Sequence, residues 1–225
     1  MTQSVSRECA GPPHVQDRPR LGADQRAERA AQRLRVLAAA SGIFGRRGYH
    51  AAQMDEIADG AGISKPTVYK HFPSKIDLYL AVIQSRLDRL VDDIRSALTA
   101  PGDNRTRTRS AVAVYFDFID SDPDGFRMVF ETEVPSEPEV RVRIDHAIDN
   151  CVMAVAGLLT RDLGADVARV RVLAAGLVGI CRFTARQWLD TDRPIPKSHA
   201  IALTAALCAQ GLSGVPLIRH REVAN

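Results

Sequence analysis

Aromatic residues and cysteines are scarce in this chain of 225 residues, where Phe, Trp and Tyr together make up 5% and cysteine occurs four times. The cysteines are Cys9, Cys151, Cys181 and Cys208, and no two of them form a CxxC motif. Their wide spacing argues against a disulfide framework or a zinc ribbon. Three of them lie in apolar helical runs, and we expect these thiols to be reduced residues of a core.

Long apolar runs are also absent from the sequence. The longest, residues 151–160 and 172–180, are too short to span a bilayer. Residues 1–23 are polar and contain Pro12, Pro13 and Pro19, which is unlike the apolar centre of a secretory leader. We therefore expect a cytoplasmic protein that has no membrane partner.

No sequence motif is typical of an enzyme. The six histidines are dispersed and include no HExxH pattern, and the glycines of residues 42–48 follow a helix rather than a strand. His146 stands beside Asp145 and Asp149, but acids on different faces of a helix are usually solvated charges. No nucleophile is paired with a base. We expect no catalytic residue, metal or cofactor, and an enzyme remains a distant alternative.

Positive charge is concentrated near the beginning of the chain. Residues 18–75 contain eleven Lys and Arg against five Asp and Glu, a net charge of +6. The rest of the chain contains 19 Lys and Arg against 22 Asp and Glu, a net charge of −3. This asymmetry predicts a salt-dependent attraction between the basic part of the chain and phosphate groups.

A helix-turn-helix is predicted near the end of this basic part. Apolar residues recur at helical spacing from residue 54 onward, which predicts a short amphipathic helix over residues 54–59. Gly60 and Gly62 are expected to end this helix. Residues 61–63 then form the short corner at which two helices meet at a steep angle.

The second helix of this motif has one apolar and one polar face. Ser64 is a favourable N-cap, Pro66 is tolerated in the first turn, and Val68 and Phe72 supply the buried face. The opposite face and the helix exit carry cationic, hydroxyl and ring side chains with no carboxylate among them: Lys65, Pro66, Thr67, Tyr69, Lys70, His71 and Lys75. A helix this short fits the major groove of DNA. Ser74 is expected to cap the next helix, and Lys75 at the start of that helix suits a phosphate oxygen.

The helix over residues 29–47, followed by GYHAAQMDEIADGAGISKPTVYKHFPSK, resembles the DNA-binding domain of the TetR family of transcriptional regulators over about residues 25–80. The resemblance implies an all-α homodimer with an N-terminal three-helix DNA-binding domain, a linking helix and a C-terminal domain for ligand binding and dimerisation. It also implies base contacts from Lys65, Pro66 and Thr67 and phosphate contacts from Tyr69, His71 and Lys75. Ala51-Ala52-Gln53 replaces the family's usual Thr or Ser, so Gln53 is expected to make that contact.

Three regions are expected from the turn-forming residues. Residues 1–23 are expected to form a disordered arm, residues 24–75 the helix-turn-helix domain, and residues 76–225 the linking helix and the C-terminal domain. The first helix is predicted over residues 24–47, with a buried stripe of Leu34, Leu37, Ala38, Ser41 and Phe44. The next helix is predicted over residues 75–100, with apolar residues at three-to-four spacing: Leu78, Val82, Ile83, Leu87, Leu90, Val91, Ile94 and Leu98. Further helices are predicted over residues 105–121, 123–132, 138–162, 165–191 and 197–212, and short joints between them indicate an antiparallel bundle.

Two functional surfaces are predicted in the C-terminal domain. Small residues that allow close helix approach predict a dimer interface, although such residues also pack inside monomers: Ala175, Gly176, Gly179, Ala202, Ala205, Ala206 and Ala209. Aromatic residues, methionines and polar anchors predict a pocket for a small apolar effector: Phe118, Phe126, Met128, Phe130, Met153, Phe183, Thr184, Gln187 and Trp188, with Arg182 as a further anchor.

The sequence therefore favours a repressor that binds a near-palindromic operator in double-stranded DNA as a homodimer and is released by its effector. A ligand-independent regulator or an activator with the same DNA-binding domain remains an alternative.

Overall fold

The computed structural model describes residues 18–121, 138–163 and 166–213. These residues form eight helices and no strand, in agreement with the all-α prediction. The helices are α1 (Arg18–Ala51), α2 (Met54–Ala61), α3 (Lys65–His71), α4 (Lys75–Thr99), α5 (Asn104–Ser121), α6 (Pro138–Leu163), α7 (Val167–Asp190) and α8 (Lys197–Ser213). The helix predicted over residues 123–132 lies outside the described residues.

The first helix begins earlier than the sequence predicts. α1 starts at Arg18, inside the segment 1–23 that is expected to be a disordered arm. Pro19 does not prevent this start, because the first turn of a helix does not need the amide hydrogen that proline lacks. Gly48 interrupts α1 with φ 74° and ψ 169°, close to the predicted end at Arg47.

The buried stripe of α1 also differs from the predicted one. Val36, Ala40, Ile43 and Phe44 are buried, whereas Leu34 is 66% exposed. Of the predicted stripe only Phe44 is buried, and the other members line a groove of about 710 Å³ between α1, α4 and α5: Leu34, Leu37, Ala38 and Ser41. The prediction failed because α1 has two apolar faces, and the sequence does not show which one packs against α2 and α3.

Aromatic rings lie in the first hydrophobic core, to which α1, α2, α3 and the first half of α4 contribute. Tyr79 is fully buried, and its ring centroid lies 5.1 Å from that of Phe44 and 5.0 Å from that of Tyr49. Edge-to-face pairs of this kind contribute about 0.5–1.5 kcal/mol each beyond area burial. Ile57 and Val68 are buried in the same core, which fixes α2 and α3 against α1 and α4.

α4 and α6 both contribute to the first hydrophobic core and to a second one, and α6 also contributes to a small third cluster with α7. α4 buries all eight apolar residues of its predicted stripe: Leu78, Val82, Ile83, Leu87, Leu90, Val91, Ile94 and Leu98. The first four lie in the first core, and the last four lie in a second core that includes residues of α5, α6, α7 and α8. In α6, Val140 and Ala147 pack into the first core, while Cys151 and Leu158 pack into the second. Two continuous helices therefore join the two cores.

The helices of the C-terminal half begin and end within two residues of their predicted bounds. The loop between α7 and α8 is tied to α7 because the Trp188 indole N–H donates to the carbonyl oxygen of Ile195 at 2.8 Å. Across the described ranges, no helix has both the length and the hydropathy that a bilayer span requires.

The left-handed residue between α2 and α3 gives a stability test. Gly62 has φ 64°, a conformation that costs an L-residue about 1–2 kcal/mol. We expect Gly62→Ala to lower the free energy of unfolding by that amount in urea titrations. Gly157→Ala is the matched control, because Gly157 is helical and its added Cβ would meet nothing within 4 Å. The control should raise the free energy of unfolding by about 0.5–1 kcal/mol; equal effects of the two changes would contradict the assignment.

Candidate DNA interface and effector cavity

The corner between α2 and α3 is closed by backbone hydrogen bonds. Gly62 N–H donates to the carbonyl of Asp59, and Ile63 N–H donates to the carbonyl of Ala58, both at 3.1 Å. Gly60 does not end α2 as predicted but lies inside it, where an added Cβ would stand 3.4 Å from the Cβ of Ala39. A side-chain carbon at this position would make ordinary van der Waals contact with α1.

α3 presents one face to the core and one to solvent, as the sequence predicts. Val68 and Phe72 are buried, and the guanidinium of Arg33 lies 4.3 Å from the centre of the Phe72 ring. Ser64 stands at the N-cap position but makes no capping hydrogen bond. Its hydroxyl instead lies 2.8 Å from the hydroxyl of Thr67. The inner face therefore holds the helix in place while the outer face stays open.

The outer face of α3 carries most of the predicted DNA-contacting residues. Lys65, Pro66, Tyr69 and Lys70 are exposed, and Thr67 is half-buried. Together these five side chains form a surface of two ammonium groups, two hydroxyl groups and a proline ring. They offer hydrogen-bond donors of the kind that base edges and phosphates accept.

Lys65 has a partner that the sequence analysis missed. Its ammonium group lies 2.9 Å from the carboxylate of Asp55 on α2. The hydrogen bond and the negative charge of Asp55 raise the pKa of Lys65 above 10.5. A separation of ten residues matches no helical spacing, so only the geometry of the corner shows that the two residues meet.

Lys75 is held in a defined position at the start of α4. Its ammonium group donates to the carbonyl of His50 at 3.0 Å and lies 4.8 Å from the centre of the Tyr49 ring. The predicted cap is confirmed, because the Ser74 hydroxyl accepts a hydrogen bond from the amide of Asp77 at 3.1 Å. A cation that is restrained in this way loses less side-chain entropy when it binds a phosphate.

Two predicted DNA contacts have different surroundings. The His71 ring faces α1 rather than the open face, since its Nε2 lies 3.3 Å from the side-chain oxygen of Gln32 and the residue is half-buried. The sequence placed His71 with Lys70 because it could not show how α1 crosses α3. Gln53 is exposed before α2 and makes no capping hydrogen bond, so its side chain is available for the predicted contact.

Large apolar side chains are exposed on α7 and α8. Val172 and Phe183 on α7 are 74% and 79% exposed, and Leu203 and Leu207 on α8 are 65% and 51% exposed. The residues predicted for a dimer interface divide into three groups: Ala175, Gly176 and Ala206 are exposed, Gly179, Ala202 and Ala209 are half-buried, and Ala205 is buried. Ala205 belongs to the second core of its own chain, so its small size serves packing within the monomer.

A narrow apolar cavity of about 100 Å³ lies between helices of the second core. Aliphatic residues such as Leu90, Val112, Ile148 and Leu177 line it. Its polar lining includes Tyr115 and Arg182, which are hydrogen-bonded to one another, and burial raises the pKa of Tyr115 to about 12. The phenol therefore stays neutral at physiological pH. Arg182 is the one predicted anchor that lines the cavity.

The described aromatic residues of the predicted pocket do not reach this cavity. Phe118 borders the groove beside α1, and Phe183 is almost fully exposed. Trp188 is buried, but its ring packs 5.6 Å from that of Phe116. Met153 is 48% exposed. The prediction collected these residues by chemical type, whereas their position around each helix sends them to different surfaces.

The predicted polar anchors lie elsewhere as well. The Thr184 hydroxyl donates to the carbonyl of Ile180 at 2.7 Å, which satisfies it within α7, and Gln187 is exposed. Phe126, Met128 and Phe130 lie outside the described residues. The aliphatic residues that do line the cavity gave no distinct signal in the sequence, because they look like any other core residues.

Together, the corner, the open cationic face of α3 and the all-helical second domain define the chain as a helix-turn-helix protein. Residues 36–82 match the family described as bacterial regulatory proteins, tetR family. The HTH-type transcriptional activator FasR of Mycolicibacterium smegmatis is 48% identical over 194 residues, which cover 86% of this chain and 89% of that protein. The chain belongs to the TetR family of transcriptional regulators, whose members are DNA-binding proteins rather than enzymes.

More distant relatives share the fold. The fatty acid metabolism regulator protein of Bacillus subtilis is 23% identical over 81% of this chain and 94% of its own length. A tetR-family regulator from Streptomyces coelicolor has a TM-score of 0.67 at 27% identity and covers 81% of this chain and 80% of that one. FadR of Bacillus subtilis, solved in complex with stearoyl-CoA, has a TM-score of 0.64 at 20% identity over 81% of this chain and 99% of that one.

Proposed function

We propose that this regulator binds a near-palindromic operator as a homodimer and that an effector with a long apolar chain releases it. The observation that carries the DNA-binding part is the orientation of α3, which buries Val68 and Phe72 and leaves Lys65, Tyr69 and Lys70 exposed. A helix of this size in the major groove places its first residues against base edges.

The residues of the interface divide into two roles in this proposal. Lys65, Pro66 and Thr67 contact base edges. Tyr69 and Lys75 contact phosphates, and so do Lys70 and Gln53 at the edge of the interface. His71 acts indirectly, because it holds α3 against α1 through Gln32. Asp55 orients the ammonium group of Lys65. This ion pair directs Lys65 to a base edge rather than to a nearby phosphate.

Substitutions of the two lysines should have different effects on DNA binding. Lys75→Met should weaken binding to all duplexes alike and reduce the slope of log K against log salt by about 1, because one phosphate contact is lost. Lys65→Ala should cost about 1–3 kcal/mol at the preferred operator and relax the choice of base at one position. Fluorescence anisotropy at several salt concentrations measures both effects.

The matched control for these variants is Lys197→Met. Lys197 is bonded to Asp117 at 2.8 Å and Asp120 at 3.0 Å, in the C-terminal domain. Its loss should leave the salt slope unchanged. An equal change of slope for Lys75 and Lys197 would show that Lys75 acts only through overall charge.

Homodimer formation is supported by the exposed apolar surface of α7 and α8. Val172 and Phe183 project from one helix and Leu203 and Leu207 from the next, and the exposed small residues Ala175, Gly176 and Ala206 lie at helical spacing from them. A contiguous apolar patch is typical of a protein–protein interface. A two-fold axis through this surface would present two α3 helices to one side of DNA, which matches a palindromic site.

Phe183→Asp should convert the dimer to monomers. A buried charge without a partner would cost about 2 kcal/mol or more at the centre of an interface. Sedimentation velocity measures the assembly state. Val142→Asp is the control, because Val142 is 65% exposed on α6, which is not one of the two helices of the proposed interface. A dimer that survives Phe183→Asp and dissociates with Val142→Asp would move the interface to α6.

The apolar cavity supports the effector part of the proposal. Its lining is mostly aliphatic, with Thr108, Tyr115 and Arg182 as polar groups, which suits a hydrocarbon chain with one polar end. FadR of Bacillus subtilis has been solved with stearoyl-CoA, and we infer a fatty acyl compound here as well. At about 100 Å³ the cavity is smaller than a typical ligand site of about 300–1,000 Å³, so the effector must widen it.

Widening of the cavity would reach the DNA-binding domain through α6. Ile144 lines the cavity and also packs against the first core, next to Val140 and Ala147. On α4, the Arg86 guanidinium donates to the hydroxyl of Ser41 on α1 at 3.0 Å. An effector that separates α6 from α4 therefore changes the packing of the first core and the placement of α3 in the dimer. Such a ligand binds one state better than the other, as release requires.

Filling the cavity should uncouple DNA binding from the effector. Ala111→Leu adds three carbons to the cavity wall and should abolish the release of operator by stearoyl-CoA without weakening operator binding. Ser110→Leu is the control, because Ser110 is the exposed neighbour on α5. Electrophoretic mobility shifts with stearoyl-CoA and with coenzyme A measure the response. Release that persists in the Ala111 variant would contradict the assignment of this cavity.

The direction of regulation has a second candidate. The repressor predicted from sequence is one candidate. FasR, which is 48% identical, is named a transcriptional activator, and this favours an activator with the same DNA-binding domain. DNA binding and release by the effector are compatible with both. Transcription in vitro from a promoter that carries the operator decides between them by the sign of the change in transcript.

A further inference from the structure

Two cysteines face each other across the contact between α7 and α8. The side chain of Cys181 on α7 is hydrogen-bonded to that of Cys208 on α8. One turn further along, Thr204 donates to the hydroxyl of Thr184 at 3.3 Å. Residues 181 and 184 share a face of α7, and residues 204 and 208 share a face of α8. The second contact therefore confirms that the two antiparallel helices place these cysteines opposite one another.

The thiol pair lies on the wall of the apolar cavity. Cys181 and Cys208 both line it, together with Cys151 from α6. Cys208 is 2% exposed, whereas Cys181 is half-buried. The cavity, rather than the outer surface, is therefore the route to the Cys208 sulfur, and a molecule that reaches this sulfur must be small or apolar.

The two thiols of the pair differ in acidity. The Cys181 thiol donates its hydrogen bond to the Cys208 sulfur, which lowers the pKa of Cys208 and raises that of Cys181. Burial raises the pKa of Cys151 to about 11, and no such donor lowers it. Because the thiolate is the reactive form of cysteine, the hydrogen bond from Cys181 favours Cys208 as the nucleophile of the pair.

We propose that Cys181 and Cys208 form a peroxide-reactive dithiol site that an alkyl hydroperoxide enters through the apolar cavity. The Cys208 sulfur attacks the terminal oxygen of the hydroperoxide, and the O–O bond breaks. Cys208 becomes a sulfenic acid, and the alkyl fragment leaves as an alcohol. The Cys181 sulfur then attacks the Cys208 sulfur, which expels water and leaves a disulfide bond between α7 and α8. Two thiols are oxidised and one peroxide is reduced.

The cavity selects the class of oxidant. Its aliphatic walls favour an alkyl group over water-like hydrogen peroxide, and burial of two methylene groups corresponds to about a tenfold preference. The preference must be corrected for intrinsic reactivity. We therefore compare the rates of tert-butyl hydroperoxide and hydrogen peroxide after each is divided by its rate with glutathione.

Peptide mapping of the full-length, reduced protein after treatment with tert-butyl hydroperoxide tests the site. The expected product is one peptide pair joined through Cys181 and Cys208, with a mass lower by two hydrogen atoms, formed at a normalised rate at least about tenfold above that of hydrogen peroxide. A disulfide that includes Cys9 or Cys151, oxidation without a disulfide, or equal normalised rates would overturn the proposal. This measurement requires no substitution, so it does not depend on the folding of a variant.

Three variants test the order of the steps. With Cys181→Ala, the sulfenic acid should persist on Cys208 and be captured by dimedone. With Cys208→Ala, Cys181 should stay unmodified. Cys9→Ala is the control and should form the disulfide as the unmodified protein does. Dimedone capture on Cys181 in the Cys208 variant would overturn the assignment of the nucleophile.

Discussion

The structure depends on the way in which α4 and α6 are shared between two hydrophobic cores. α4 buries Leu78 to Leu87 in the first core and Leu90 to Leu98 in the second. α6 does the same with Val140 and Ala147 at one end and Cys151 and Leu158 at the other. Close-packed interiors do not absorb a displacement smoothly. A displacement of either helix at the cavity would therefore be transmitted to the first core.

The small size of the cavity distinguishes the proposed effector site from the DNA-binding surface. A space of about 100 Å³ is too narrow for most ligands, so the proposed effector would have to displace helices that are already in contact. DNA binding requires no such displacement of α3, because Val68 and Phe72 fix this helix to the first core and its cationic face is exposed without DNA. In this account the DNA-binding surface is formed in advance, and the effector site is formed by the effector.

The sequence was sufficient for features that depend on local order. Helical spacing located the buried face of α4, and glycine and serine marked the corner and the cap at Ser74. The sequence was insufficient where a helix has two apolar faces that could be buried, and where residues from different helices come into contact. The stripe of α1 shifted because α1 has two apolar neighbours. Asp55 was missed as the partner of Lys65 because they lie on different helices.

The same limit explains the errors in the C-terminal domain. Small residues such as Ala205 and Gly176 have equal weight in a sequence, but one is buried in its own core and the other is exposed. Aromatic residues suggested a pocket, whereas the cavity is aliphatic and bordered by Arg182 and cysteines. Whether a side chain faces its own core, a cavity or a partner depends on the rotation of each helix in the bundle, and that rotation is a tertiary property.

The most direct test of the proposed coupling is the distance between the two α3 helices of the proposed dimer, measured by electron–electron double resonance with spin labels on an unnatural amino acid at Lys70. The account predicts a narrow distribution near one turn of DNA, about 34 Å, in the operator complex, and a displaced distribution when stearoyl-CoA is bound. An unchanged distribution at a stearoyl-CoA concentration that saturates the protein would contradict it.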